Sequence, residues 1–157
     1  MSAQDYSRRS STTPPDFERL PSSRPPSIGD GVLRQIMWAK ELELGLPLVD
    51  EQHQALVGTI NALSTAIEAE AVADIGRVAL TLIDYARVHF AYEDQFLERL
   101  GDAGRDEHRA AHANFLRTAM DAYRAIQTGD LVVGVGLFSF LQNWLLTHIR
   151  SEDPKYL

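Results

Sequence analysis

Four stretches of this chain repeat apolar residues at steps of three and four, and each carries histidine on its apolar stripe. That period is helical, so each stretch is predicted to form an amphipathic helix with one face to bury. The first runs from about Val49 to Ala71, with His53, Leu56, Ile60, Leu63 and Ile67 in line. The second runs from about Asp74 to Leu100 through Ile75, Val78, Leu82, Tyr85, His89, Glu93, Phe96 and Leu100, and Gly101 follows as a natural C-cap. The third runs from about Arg105 to Thr128, with Asp102 or Asp106 as N-cap. Its stripe is His108, His112, Phe115, Ala119, Ala122 or Tyr123, and Ile126, and Gly129 ends it. The fourth starts after Asp130, a favourable N-cap, and carries Leu131, Val135, Phe138, Leu141, Leu145 and His148. Its opening turns, Leu131 to Phe138, would also suit a strand, but length and the downstream spacing favour a helix. The connections are short, so neighbouring helices are expected to run antiparallel. The predicted fold is all-α: an up-down-up-down antiparallel four-helix bundle over residues 37–157.

The first 36 residues differ in kind. They hold five of the seven prolines, seven serines, and five arginines against four acids. Such a stretch buries too little apolar surface to offset its ordering entropy, so it is expected to be a disordered, flexible tail. It could serve as a binding segment for a protein partner that the sequence does not specify. Between tail and bundle, Gly45 and Pro47 interrupt any helix, and Trp38 with Leu42 or Leu44 is expected to cover one edge of the core.

Composition narrows the chemistry. The 157-residue chain has a net charge of −7, which argues against a nucleic-acid partner. It has no cysteine, so disulfides, iron–sulfur clusters and thiolate zinc sites are excluded. Its most apolar run, Leu131 to Leu141, is too short to span a bilayer, and no apolar segment of a signal peptide follows Arg8-Arg9. No membrane association is expected, and the default location is cytoplasmic. Any transition metal must be held by five histidines and by carboxylates.

In the predicted bundle those histidines converge. His53 lies near the start of the first helix, His89 near the end of the second, His108 and His112 near the start of the third, and His148 near the end of the fourth. An antiparallel bundle brings those four places to one end. A lone histidine on an apolar face is usually an ordinary core residue. Five packed together without a metal would leave buried polar atoms unsatisfied and repel one another on protonation. His108 and His112, four apart, share a helix face, as do His89 and Glu93. Asp153 stands five after His148, off the face of a continuous helix. Pro154 is expected to push Asp153 out of the α region, ending the helix near Ser151 or Glu152 and turning Asp153 back to the site. Five histidines and two carboxylates are too many for one ion and suit two, with Glu93 and Asp153 as bridges. The H-E-x-x-H pattern is absent, and no histidine follows a glutamate by three as the ferritin-like pattern requires. Asp50, three before His53, is expected to orient the helix start instead. Zinc occupancy remains a minor alternative.

The chain resembles the bacterial hemerythrins. The matching elements are Trp38, Leu44-Gly45, Val49-Asp50-x-Gln52-His53, His89-Phe90-x-x-Glu93, His108-x-x-x-His112 and Trp144-Leu145-x-x-His148-x-x-x-x-Asp153-x-x-Tyr156. The likeness covers about residues 37–157 and leaves out the tail. It departs from the family at Asp94, where a glutamate is usual, which is not a ligand position. The resemblance implies a non-haem site of two iron ions with a bridging oxo or hydroxo group, which binds O₂ reversibly for storage, delivery or sensing. Carried onto this sequence, His108, His112 and His148 would hold one iron and His53 and His89 the other. Glu93 and Asp153 would bridge, and the two-histidine iron would keep an open position for O₂. Leu145, Ile149 and Trp144 would line the O₂ pocket, with ordinary core packing an equal reading for Trp144 and Ile149. No catalytic residue is expected, and the protein is expected not to be an enzyme. A peroxidase or nitric-oxide-reducing enzyme on the same scaffold, or a regulatory module responding to O₂ or iron, are the alternatives.

Overall fold

A computed structural model describes residues 33–101 and 104–155. After a 3-10 turn at Lys40–Leu42 come four helices: α1 (Pro47–Glu68), α2 (Val72–Leu100), α3 (Arg105–Ile126) and α4 (Leu131–Thr147). A π turn at His148–Glu152 and a 3-10 turn at Asp153–Lys155 extend α4. Each helix packs against two others, α1 on α2, α2 on α3, α3 on α4, and α4 back on α1. This closes the four-helix bundle, and the described residues contain no strand.

The boundaries follow local chemistry. Pro47 occupies the first turn of α1, where its missing N–H breaks no helical bond. The backbone before it is tied down by Asp50, whose Oδ1 accepts from the Leu44 N–H at 2.7 Å and Oδ2 from the Gly45 N–H at 3.0 Å. Gly101 ends α2 at φ 68°, a left-handed conformation that glycine adopts without a Cβ clash. Asp130 caps α4 by accepting from the Val132 and Val133 N–H groups. At α3 the expectation of an aspartate cap fails. Gly104 is the N-cap, and Asp106 lies inside the first turn, where its charge complements the helix dipole; Asp102 lies outside the described residues.

The predicted stripes of α1 and α4 meet the core closely, with Leu63, Ile67 and Leu141 wholly buried. On α2 the buried face is rotated from the expected one. Ala79, Ile83, Ala86, Phe90 and Leu97 are inside, Val78 and Tyr85 are half-buried, and Leu100 is 55% exposed. Ile75, Leu82, His89 and Glu93 of the expected stripe remain buried, and the interior extends to one flank of it. On α3 the expected stripe is buried: Phe115, Ala119 and Ile126 are inside, and of the two candidates Ala122 is buried and Tyr123 only partly so. Leu33 and Ile36, assigned to the tail by composition, are buried in the core. Asn61 fixes Ile36 by accepting from its N–H at 2.8 Å and donating to its C=O at 2.9 Å. The packed domain therefore reaches at least to Leu33; the remainder of the expected tail lies outside the described residues. Leu42 is buried and Trp38 and Leu44 pack against the core, as expected.

The helix Leu131–Lys155 is long and apolar enough to cross a membrane by length and composition, its most apolar 18 residues having a mean hydropathy of 1.4. It also supplies Leu137, Phe138, Leu141, Leu145 and His148 to the bundle interior.

Replacing the α4 cap, Asp130→Ala, is predicted to cost about 1 kcal/mol of stability. A lowered denaturant midpoint with unchanged helical content would show it; an unchanged midpoint would contradict the cap.

Candidate metal centre

The start of α1, the end of α2, the start of α3 and the π turn after α4 meet at one end of the bundle. There His53, His89, Glu93, His108, His112, His148 and Asp153 are all buried. The structure brings together all seven residues singled out from the sequence.

Their arrangement is two-sided. Glu93 Oε1 faces His89 Nε2 at 3.3 Å and His53 Nε2 at 3.7 Å. Its other oxygen, Oε2, faces His112, His108 and His148 Nε2 at 3.3, 3.5 and 3.7 Å. Asp153 repeats the pattern, with Oδ1 at 2.9 Å from His148 Nε2 and Oδ2 at 3.4 Å from His53 Nε2. Each carboxylate thus offers one oxygen to a three-imidazole set and the other to a two-imidazole set. Within the sets, His53 and His89 approach Nε2 to Nε2 at 3.1 Å, and so do His112 and His148.

Protons alone do not balance this cluster. Both oxygens of Asp153, Oε2 of Glu93 and Nδ1 of His53 are buried without a hydrogen bond. Buried polar atoms are rarely left so, and here they point at a common centre. Burial pushes the Glu93 carboxyl up, but the imidazoles of His108, His112, His148 and His53 outweigh this and hold it well below the usual carboxylate range. Burial pushes His89 down to about 3, and the neighbouring His53, His112 and His148 add to the effect against the pull of Glu93. Burial likewise lowers His112. His148 goes the other way: burial disfavours its charge, yet Asp153 and Glu93 together raise it to about 9. The cluster therefore holds imidazoles kept neutral by burial at His89 and His112, an ionised carboxylate at Glu93, and a proton between His148 and Asp153 that a bound metal ion would displace. The potential ion-holding groups are Glu93 with His108, His112 and His148, and Glu93 with His53 and His89.

Asp153 reaches the site by a device other than the expected one. Its backbone is α-helical at φ −58°, ψ −41°, not extended, and its N–H donates to the C=O of His148, five residues back. In an α-helix residues five apart differ by about 140° around the axis. The wider π turn narrows that offset and brings the two side chains together. The bias that Pro154 places on its predecessor is overridden by this bond and by the contacts of Asp153 with His148 and His53. Single π turns inserted in helices are frequent at functional sites.

The outer nitrogens are held too, by residues to which sequence reasoning gave no role. His89 donates from Nδ1 to Gln52 Oε1 at 2.9 Å, and His112 from Nδ1 to Asp94 Oδ1 at 3.3 Å. Each bond fixes the tautomer that presents Nε2 as a lone pair to the site. Gln52 stands beside His53 in sequence, and only the packing of α1 on α2 brings it to His89. Rings complete the support: Phe90 stacks on His112 at 3.8 Å and Trp144 on His148 at 4.2 Å. Leu145 and Ile149, on either side of His148 along the chain, are 2% and 1% exposed, whereas Trp144 is half-buried. Tyr156 lies outside the described residues.

Gln52→Leu keeps the volume and removes the acceptor for His89. It is predicted to weaken metal binding about 10- to 100-fold. Competition against a chelator would measure this, and an unchanged affinity would remove Gln52 from the supporting role.

Comparison with known proteins agrees with this geometry. The profile of the hemerythrin HHE cation binding domain matches residues 44–157. A bacteriohemerythrin of Pseudomonas paraeruginosa is 32% identical over 125 residues, covering 80% of this chain and 81% of its own. Those of Stenotrophomonas maltophilia and Methylococcus capsulatus are 28% and 26% identical, covering 77% and 75% of this chain and 78% and 90% of their own. A solved crystal structure of a leucine-to-phenylalanine mutant superposes with a TM-score of 0.70 at 25% identity, covering 78% of this chain and 95% of that one.

Proposed function

The chain belongs to the hemerythrin family, and on that premise we propose that it binds O₂ reversibly at a non-haem di-iron centre and is not an enzyme. The observation that carries the reading is the two-sidedness of Glu93 and Asp153, each with one oxygen toward each imidazole set. His108, His112 and His148 would hold one iron, His53 and His89 the other, and Glu93 and Asp153 would bridge. With one oxo or hydroxo bridge added, the donors number six on the first side and five on the second, so the two-histidine side keeps an open position. When bound, the iron pair supplies the electrons that O₂ takes up and returns.

The chain's own residues fit binding and release better than bond cleavage. Among the described residues, the buried histidines, aspartates and glutamates all belong to the ligand set, which leaves no spare buried acid of these types to deliver a proton. Leu145 and Ile149, buried in the core on either side of His148 along the chain, would limit water and form the O₂ pocket. Trp144 would contribute by covering the His148 ring. In this reading the protein works as a soluble cytoplasmic carrier, store or sensor of O₂, since the apolar face of α4 is engaged in the core.

Reduced anaerobically, the purified protein should contain two irons per chain. It should develop a visible absorption band on admitting O₂ and lose it on removing O₂. Fewer than one iron per chain would overturn the di-iron reading. Two irons with turnover of peroxide or nitric oxide and no reversible band would move the assignment to an enzyme. Leu145→Tyr is predicted to change the autoxidation rate while leaving iron content unchanged; an unaltered rate would take Leu145 out of the pocket.

A further inference from the structure

The seven site residues are not sealed equally. Glu93, Asp153 and His108 are 7%, 5% and 3% exposed, while the other four are 2% or less. The same three form the floor of a cavity of about 180 Å³ at this end of the bundle. Its walls include Leu44, Leu48 and Val49 from the approach to α1 and its first turn, and Tyr92 and Phe96 from α2. At the rim, Leu48 is 47% and Tyr92 39% exposed, so the cavity reaches the surface through side chains that the core does not need.

We infer that this vestibule, with the carboxylates of Glu93 and Asp153 at its floor, is the route by which divalent metal ions enter and leave the centre. The inference rests on the metal-centre reading above. Three features point the same way. The cavity meets the site at both carboxylates, hard oxygen donors that suit an ion still carrying water. A cleft with apolar, low-dielectric walls and an acidic floor concentrates the field on that floor and draws cations inward, and the whole chain carries −7. A cavity of that size admits several waters, so an ion can arrive with part of its hydration shell. The ion would exchange water for carboxylate oxygen first, at Glu93 and Asp153, and for imidazole deeper in.

The experiment compares rates with end points. Anaerobic Fe²⁺ uptake by the metal-free protein, and extraction of iron from the loaded protein by excess chelator, would be followed by absorbance in four proteins. These are the wild type, Leu48→Trp to narrow the rim, Tyr92→Ala to widen it, and Val132→Trp, an exposed position at the opposite end of the bundle. The route predicts slower uptake and extraction in Leu48→Trp, faster in Tyr92→Ala, and wild-type rates in Val132→Trp, all at equal final iron content. Rates in both rim variants equal to the wild type would overturn it. Circular dichroism checks the fold; should Leu48→Trp not fold, Tyr92→Ala alone decides. A wild-type chain that takes up no iron overturns the metal-centre reading and the route with it, whereas full uptake with unaltered rim-variant rates overturns the route alone.

Discussion

Two carboxylates buried between two sets of imidazoles are the constraint on which the rest of this structure depends. Charges of this kind are costly to remove from water unless they are compensated. Glu93 and Asp153 are compensated only if five rings from four separate chain segments arrive at one level of one core. The phase of every helix must therefore be right within a fraction of a turn. The apolar residues set that phase: the same stripes that bury Leu63, Leu82, Phe115 and Leu141 carry the histidines inward. Hydrophobic packing thus serves as the jig for a polar site that would be unstable without it.

Backbone details refine what packing positions coarsely. The bond from Asp50 to the Leu44 and Gly45 N–H groups sets the entry to α1 and so the height of His53. The π turn after α4 rotates Asp153 onto the face of His148. Gln52, Asp94, Phe90 and Trp144 then hold ring orientation and tautomer from outside. At His89 and His112 this leaves the inward nitrogen as a lone pair, the condition for binding metal. The site is least enclosed on the carboxylate side, where the vestibule lies.

Much of this was legible in the chain because helical periodicity is a local property. An apolar stripe that recurs every third or fourth place states that a helix forms, and a histidine on that stripe states which way the ring points. Short connections then fix which helix ends coincide, so the convergence of the five histidines with Glu93 followed without coordinates. The errors arose where neighbours, not local pattern, decide. On α2, Ala79, Ile83, Ala86, Phe90 and Leu97 are inside while Val78 and Tyr85 are half-buried and Leu100 is exposed, since the neighbouring helices decide which flank of the stripe is covered. Leu33 and Ile36 looked like tail because composition cannot see the Asn61 amide that captures Ile36.

By itself, then, the sequence determined the four helices, the shared level of the five imidazoles and Glu93, and the absence of cysteine thiolate from any site, because periodicity and composition are carried by the chain without reference to its partners. Only the tertiary structure decided how Asp153 enters, since a π turn against the preference set by Pro154 is selected by the contacts it permits. It alone showed that Gln52 serves His89 and not its neighbour, and which edge of the site meets solvent. Those are relations between residues distant in sequence, fixed by the packing of one helix on another.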